Sequence, residues 1–367
     1  MLHSVEAARA GAVLTVDLGA VRANYRQLAA MARARCAAVM KADAYGLGME
    51  QVAPALAQEG CTVFFTAHLD EGIRLRPLLG PGCAIYVLHG PPPGTAGDCA
   101  AHGLVPVLND PGQLHEWRAL ARALGRELQA AIQLDTGMSR MGIAPADLAA
   151  LSADPGWLDG LRPVLVMSHL ASADEPAHPM NAAQRERFER LRAILPGVPA
   201  SLANSSGIFL GPDYHYDLLR PGAALYGINP QPGNPNPLRQ AVSLHARVVQ
   251  VRTAIDGDVV GYGCHHVVAG ARRIATVSIG YADGWLRSLS GRGQARIGGQ
   301  VVPVVGRVSM DSMGLDVTGV PDSLVQPGAE VELLGPTLTV DDVAAAAGTI
   351  GYEVLTRLGS RFHRRYR

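Results

Sequence analysis

Ala37-Ala38-Val39-Met40-Lys41-Ala42-Asp43-Ala44-Tyr45-Gly46-Leu47-Gly48 is an apolar run that ends on a charge and passes into small residues and glycine. The pattern predicts a buried strand, Ala37–Lys41, whose tip enters a glycine-rich turn. Lys41 is the only lysine in 367 residues, where Lys and Arg together number 32. Arginine therefore stands wherever a plain positive charge serves. Lysine at this one place points to what arginine cannot do: an amine can lose its proton and attack a carbonyl, whereas a guanidinium stays charged. A bare ammonium at the end of a buried strand is unfavourable unless it is neutralised, paired or used covalently.

Working outward, seven further β-type runs follow at similar spacing. They are Val63–Thr66, Ala84–Leu88, Leu104–Leu108, Ala130–Asp135, Val164–His169, Ala200–Asn204 and Tyr216–Arg220. Helical patterns lie between them, among them Gln51–Gln58, Asp70–Leu78, Gly112–Leu124 and Ala182–Leu195, with Asp110 and Asn181 in N-cap positions. Eight strand–helix units predict a parallel (β/α)8 barrel of the TIM type, with a doubly wound sheet as the weaker alternative. A helix-like segment, Leu18–Arg35, precedes the first of these strands, and Val13–Asp17 before it is expected to join something outside the barrel.

The Pro/Gly/Asn segment at 229–237 marks a boundary. It divides an α/β barrel domain, residues 1–235, from a mostly β C-terminal domain, residues 236–367. Beyond it Ala246–Thr253, Ile274–Ile279, Val301–Val308, Met313–Val317 and Glu330–Leu334 read as strands, and one helix, Val340–Ala347, stops at Gly348.

Composition excludes several classes. Net charge is zero and no run of like charge suggests a nucleic-acid or membrane partner. Apolar stretches are too short and interrupted for a membrane-spanning helix. Residues 1–12 lack the features of a signal peptide. Five cysteines without paired spacing suit reduced thiols in the cytoplasm. Cys264-His265-His266 is too contiguous to converge on one metal ion, so no metal is expected.

Barrels gather chemistry at the C-terminal ends of their strands. There stand Lys41, Asp135–Arg140, Ser168-His169, Asn204-Ser205-Ser206-Gly207 and Arg220-Pro221-Gly222. A nucleophilic lysine on such a rim forms a Schiff base with a substrate carbonyl or with pyridoxal phosphate. The small residues and glycines at 204–207 and 220–223 favour the cofactor, since their N–H groups can hold a phosphate, with Tyr45 as a further donor.

The run Ala38–Gly48 resembles the pyridoxal-phosphate lysine motif of alanine racemases. The resemblance extends from about Val13 to the C-terminus, through Leu134-Asp-Thr-Gly-Met-Ser-Arg140, His169–Glu175, Ala203-Asn-Ser205, Leu219-Arg-Pro-Gly222, Ile279–Trp285, Val305–Asp311 and Ile350-Gly-Tyr-Glu353. It implies a barrel carrying pyridoxal 5'-phosphate, a C-terminal β domain, and a head-to-tail homodimer with shared active sites. By resemblance, Lys41 carries the cofactor and acts as base on one face of the amino acid. Tyr281, from the partner subunit, acts on the other face. Arg220 faces the pyridine nitrogen, and His169 packs beside the ring. Tyr45, Asn204, Ser205, Gly222, Ala223 and Tyr352 belong to the cofactor's surroundings. Arg140, with Met310 of the other subunit, contacts the substrate carboxylate, and Asp311 lies near the entrance.

These residue types suit racemisation, which takes the α-proton from one face and returns one to the other. A tyrosine ordinarily holds its proton to about pH 10, so a tyrosine base needs a cationic neighbour. Two positions depart from the family pattern. Gln133 stands where racemases often have a carbamylated lysine beside the Arg140 equivalent, and Asp43 replaces an asparagine. The expected activity is interconversion of L- and D-alanine in the cytoplasm, supplying D-alanine for peptidoglycan. The alternatives are a broad-specificity amino-acid racemase, a decarboxylase of similar build, and a non-catalytic cofactor-binding module.

Overall fold

A computed structural model describes residues 5–367; residues 1–4, part of the segment 1–12 read above, lie outside the described residues. The chain forms two units. One comprises Val21–Leu225 and Asn229–Leu238; the other comprises the residues up to Ala20, Tyr226–Ile228 and Arg239–Arg367.

The first unit is built on parallel strands in chain order: Ala38–Val39, Val63–Thr66, Ala84–Val87, Val105–Leu108, Leu128–Gln133, Leu161–Met167 and Ala200–Ser201. Every residue of Val63–Thr66 and Val105–Leu108 is buried, as expected of strands covered by helices outside and side chains within. An eighth strand, Leu218–Leu219, pairs in parallel with Arg35–Cys36, just ahead of the first. Asn204 bridges to Arg220, Ala37 N–H donates to the Leu219 carbonyl (2.9 Å), and Val39 N–H donates to that of Pro221 (3.0 Å). The sheet thereby closes on itself, which removes its edges.

Several elements differ from the sequence expectation at this closure. The expected strand Ala37–Lys41 is interrupted at Ala37 and stops at Val39. Tyr216–Arg220 shrinks to two residues because Tyr216 is left-handed (φ 48°), a conformation no strand accepts. Asp110 caps its helix as expected, its carboxylate accepting from Gln113 N–H at 3.0 Å. Asn181 does not. The helix Met180–Arg192 starts earlier, from Pro179, and Asn181 is buried in its first turn, donating to the Glu175 carbonyl at 3.0 Å.

The second unit centres on one long strand, Val242–Ala254. It pairs antiparallel with Arg272–Val277, with Glu330–Leu334 and with Ala12–Val16. Ala12–Val16 also pairs in parallel with His363–Tyr366, so an early and a late segment of the chain lie side by side in this sheet. The helix Val340–Ala347 is capped by Thr339, whose hydroxyl accepts from Asp342 N–H, and ends at left-handed Gly348 (φ 72°). A second helix, Gly351–Arg357, follows where none was expected. Its N-cap, Ile350, makes no side-chain bond, so the sequence carried no start signal. No helix among the described residues is long and apolar enough to cross a membrane.

Candidate active site

Lys41 is the first residue of a left-handed turn, not the last residue of a strand. Ala42, Asp43, Ala44 and Tyr45 have φ of 53°, 56°, 53° and 59°. Each such non-glycine residue is unfavourable by about 1–2 kcal/mol, so the surroundings must hold the turn in place. Within it, Ala44 N–H donates to the Met40 carbonyl (2.9 Å) and Gly48 N–H to that of Asp43 (3.0 Å). The Asp43 carboxylate accepts from Met49 N–H at 2.9 Å, starting the next helix. This accounts for Asp43: aspartate tolerates the left-handed region and its side chain bonds to nearby backbone. Lys41 itself is half-buried. Burial, and secondly the charge of Arg140, hold its amine below the usual lysine range, while Glu71 acts in the opposite sense.

Tyr45 is buried and its hydroxyl reaches the loop after the eighth strand. A Cβ on Gly222 would collide with that hydroxyl, so only glycine fits beside it. The Ser205 hydroxyl oxygen accepts from Gly222 N–H (3.0 Å) and from Ala224 N–H (3.2 Å). Asn204 Oδ1 accepts from Gly207 N–H (2.8 Å) and shapes the neighbouring turn, and buried Ala223 lies between Gly222 and Ala224. The hydroxyls of Tyr45 and Ser205 thus gather around Gly222, with no carboxylate among these residues; the Gly222 and Ala224 N–H groups fix the Ser205 oxygen, so that its O–H is left to donate. Such a set suits a phosphate group, and here the residues fit the cofactor.

Arg220 is 4% exposed and is fixed by the strands beside it. Nη2 donates to the Ser168 carbonyl at 2.6 Å and Nη1 donates to the Ser201 hydroxyl. Neither bond uses Nε–H, which remains available as a donor. Burial pushes the guanidinium down to about 9, still charged at neutral pH. His169 is half-buried, and its imidazole is pushed down to about 3 by burial and then by Arg220, Arg140 and Lys41. It is therefore neutral at physiological pH.

Arg140 is exposed at the end of a loop organised by Asp135. Asp135 Oδ1 accepts from the N–H groups of Gly137 (2.8 Å), Met138 (3.1 Å) and Ser139 (3.2 Å). A cavity of about 510 Å³ opens beside it, lined by His89, Asn109, Gln113, Asp135, Ser139 and Arg140 among others. Gln133, at the end of the strand before that loop, is buried.

Sequence reasoning missed the polar residues that tie these parts together. Gln184 is fully buried; its Oε1 accepts from Ala171 N–H (2.8 Å), and its Nε2 donates to the His169 carbonyl (2.9 Å) and the Thr136 hydroxyl (3.1 Å). Thr136 and Ser168 share a further bond at 2.7 Å. One buried network therefore joins the Arg140 loop, His169 and Arg220. Thr136 and Ser168 lay inside motifs already singled out; Gln184 sits on a helix among residues without chemical pattern.

In the second unit, the backbone N–H of Tyr281 donates to the Ser309 carbonyl and that of Ala282 to the Met310 carbonyl, both at 3.0 Å. A Cβ on Gly280 would strike both carbonyls, which explains the glycine before Tyr281. Tyr281 is 41% exposed and Met310 is exposed. Arg361 pairs with Asp311 (2.7 Å) and Asp283 (3.1 Å) in the same cluster. Tyr352 lies on the unexpected helix. The structure thus groups Lys41, Tyr45, Arg140, His169, Asn204, Ser205, Arg220, Gly222 and Ala223 in one unit. Tyr281, Met310, Asp311 and Tyr352 belong to the other. His265 faces the Arg307 guanidinium, so its Nε2 acts as acceptor. Among the described residues no three His, Cys, Asp or Glu side chains are arranged to hold a metal.

Residues 16–230 match the family model described as alanine racemase, N-terminal domain, and residues 241–366 match alanine racemase, C-terminal domain. A protein of Mesorhizobium japonicum named alanine racemase, catabolic, is 55% identical over 99% of this chain and 95% of its own length. An alanine racemase of Rhodospirillum rubrum is 51% identical over 98% and 96%. The crystal structure of alanine racemase from Bartonella henselae with covalently bound pyridoxal phosphate superposes with a TM-score of 0.94 at 40% identity, covering 98% of this chain and all of that one.

Proposed function

The chain belongs to the alanine racemase family, and from that premise we propose how its own residues interconvert L- and D-alanine. It is a pyridoxal-phosphate-dependent isomerase. When bound, pyridoxal phosphate draws off the negative charge that develops at Cα as the α-proton leaves. The decarboxylase and carrier readings fall away with the family assignment.

The Lys41 amine is the covalent attachment point and the acid–base group on one face. Its half-buried position and the charge of Arg140 favour the neutral amine, which is the form able to accept a proton at Nζ. Tyr281 of the partner subunit moves the proton at its Oη on the opposite face, in a head-to-tail homodimer. Arg220 would stand by the cofactor's ring nitrogen, where its fixed charge would oppose protonation. His169, kept neutral, would pack beside the ring. The hydroxyls of Tyr45 and Ser205, the backbone around Asn204, Gly222 and Ala223, and Tyr352 would hold the phosphate. Arg140 and Met310 receive the substrate carboxylate, and Asp311 borders the entrance. The carrying observation is the single lysine, on a turn of four left-handed residues, next to a donor set around Gly222.

Enantiomers have equal free energy, so the direction of use follows supply and demand. We place the enzyme in the cytoplasm, supplying D-alanine for peptidoglycan. The name of the Mesorhizobium japonicum relative favours a second reading, breakdown of alanine. A deletion strain that needs D-alanine to grow supports the first; one that grows without it but fails on alanine as carbon source supports the second. The reaction is tested by incubating L-alanine with the enzyme in deuterium oxide. The reading expects deuterium at Cα with inversion, and little of either with a panel of larger amino acids. Comparable rates on that panel would make it a broad-specificity racemase, and no exchange on alanine would sink the proposal.

A further inference from the structure

The turn that presents Lys41 is bolted at its start by a residue to which no motif pointed. Ala42 N–H donates to Glu71 Oε1 at 2.7 Å. The other oxygen, Oε2, accepts from Ala67 N–H (2.8 Å) and His68 N–H (3.1 Å), at the end of the next strand. Glu71 is the third residue of the helix Leu69–Leu75, so its backbone is fixed as well. One carboxylate therefore joins the first left-handed residue after Lys41 to the neighbouring strand end and helix.

Two charges act on the Lys41 amine in opposite senses, that of Arg140 and that of Glu71. Arg140 approaches from the loop after Leu128–Gln133. His89, exposed and stacked edge-on against His68 at 4.6 Å, comes from the loop after Ala84–Val87, and His169 comes from the loop after Leu161–Met167. Asp43, on the turn itself, is engaged with Met49 N–H. Glu71 is the carboxylate that opposes Arg140 at this amine.

We propose that Glu71 is a positioning residue for the reaction: it locks the left-handed turn that presents Lys41 and supplies the negative charge against which the amine is poised. The inference rests on Lys41 being the cofactor's attachment point. Glutamine cannot replace Glu71, because its single acceptor oxygen would leave N–H groups facing its NH2. Aspartate keeps the charge but falls short of Ala42.

The full-length protein, stripped of cofactor, is mixed with pyridoxal phosphate, and the growth of the visible absorption band is followed against pH. Glu71→Gln and Glu71→Asp are compared with wild type after circular dichroism has confirmed folding. Capture should slow at least about tenfold in both, since the amine is misplaced. The pH midpoint of capture should also fall in Glu71→Gln by about one unit, because loss of a nearby anion favours the neutral amine. Glu71→Asp should shift it the same way by less, and it decides the matter if the glutamine variant does not fold. A midpoint that stays at the wild-type value, whatever the rate, overturns the proposal and leaves Glu71 a helix cap. Failure of wild type itself to capture pyridoxal phosphate would instead indict the Lys41 assignment.

Discussion

At the residue scale, Gly222 and Tyr45 are made for each other. A methyl group at 222 would meet the Tyr45 hydroxyl, which has no free direction in a buried site. Overpacking of this kind is unfavourable by about 1–3 kcal/mol, so Gly222→Ala should weaken pyridoxal-phosphate binding about tenfold or more. Equilibrium dialysis of the stripped protein checks this, and an unchanged affinity would remove Gly222 from the phosphate surroundings. His169 supplies a prediction in pH. Its folded value of about 3 lies below the ordinary 6.5, so the unfolded chain binds the extra proton between the two. The histidine's contribution to stability should be fully present above pH 6.5, decline as pH falls through that window, and level off below it. Urea unfolding of wild type and His169→Asn should converge as the solution is acidified; a constant gap would show that His169 is not held neutral.

At the scale of elements, Gln184 links parts that are distant in sequence. The helix Met180–Arg192 reaches in with this one amide to hold the Thr136 hydroxyl, the His169 carbonyl and Ala171 N–H. Gln184→Met preserves volume and leaves those groups unpaired. It should lower stability by about 1–3 kcal/mol. It should also raise both the KM for alanine and the dissociation constant of the cofactor, since the Arg140 loop and His169 lose the same support. Loss of stability alone would make Gln184 a packing residue. The sequence carried most of the strand–helix alternation, because hydrophobic period and caps such as Asp110 act locally. It could not carry the left-handed turn at 42–45, which four non-glycine residues adopt only because distant groups hold them. Nor could it place Glu71 or Gln184, whose roles exist only once separate strands stand side by side. Asn181 looked like a cap by type, but the turn before it had already begun the helix.

At the scale of the whole molecule, an early and a late segment join in the sheet of the second unit, where Ala12–Val16 lies between Val242–Ala254 and His363–Tyr366. The residues assigned to catalysis divide between the units, with Lys41 in one and Tyr281 in the other. If sites are shared across a homodimer, Lys41→Ala and Tyr281→Ala proteins should each be inactive. Mixed after subunit exchange, they should regain about a quarter of wild-type activity, because half the dimers are hybrids and each hybrid holds one intact site. No recovery after confirmed exchange would place both groups in a single subunit.

The claim beneath all of this is a covalent bond between Lys41 and pyridoxal phosphate. Borohydride reduction of the loaded enzyme followed by peptide mapping tests it directly. The account predicts one pyridoxyl group, on the peptide containing Lys41, and none in the correctly folded Lys41→Arg protein. A modified peptide from elsewhere in the chain, or an unmodified Lys41 in active enzyme, would contradict it.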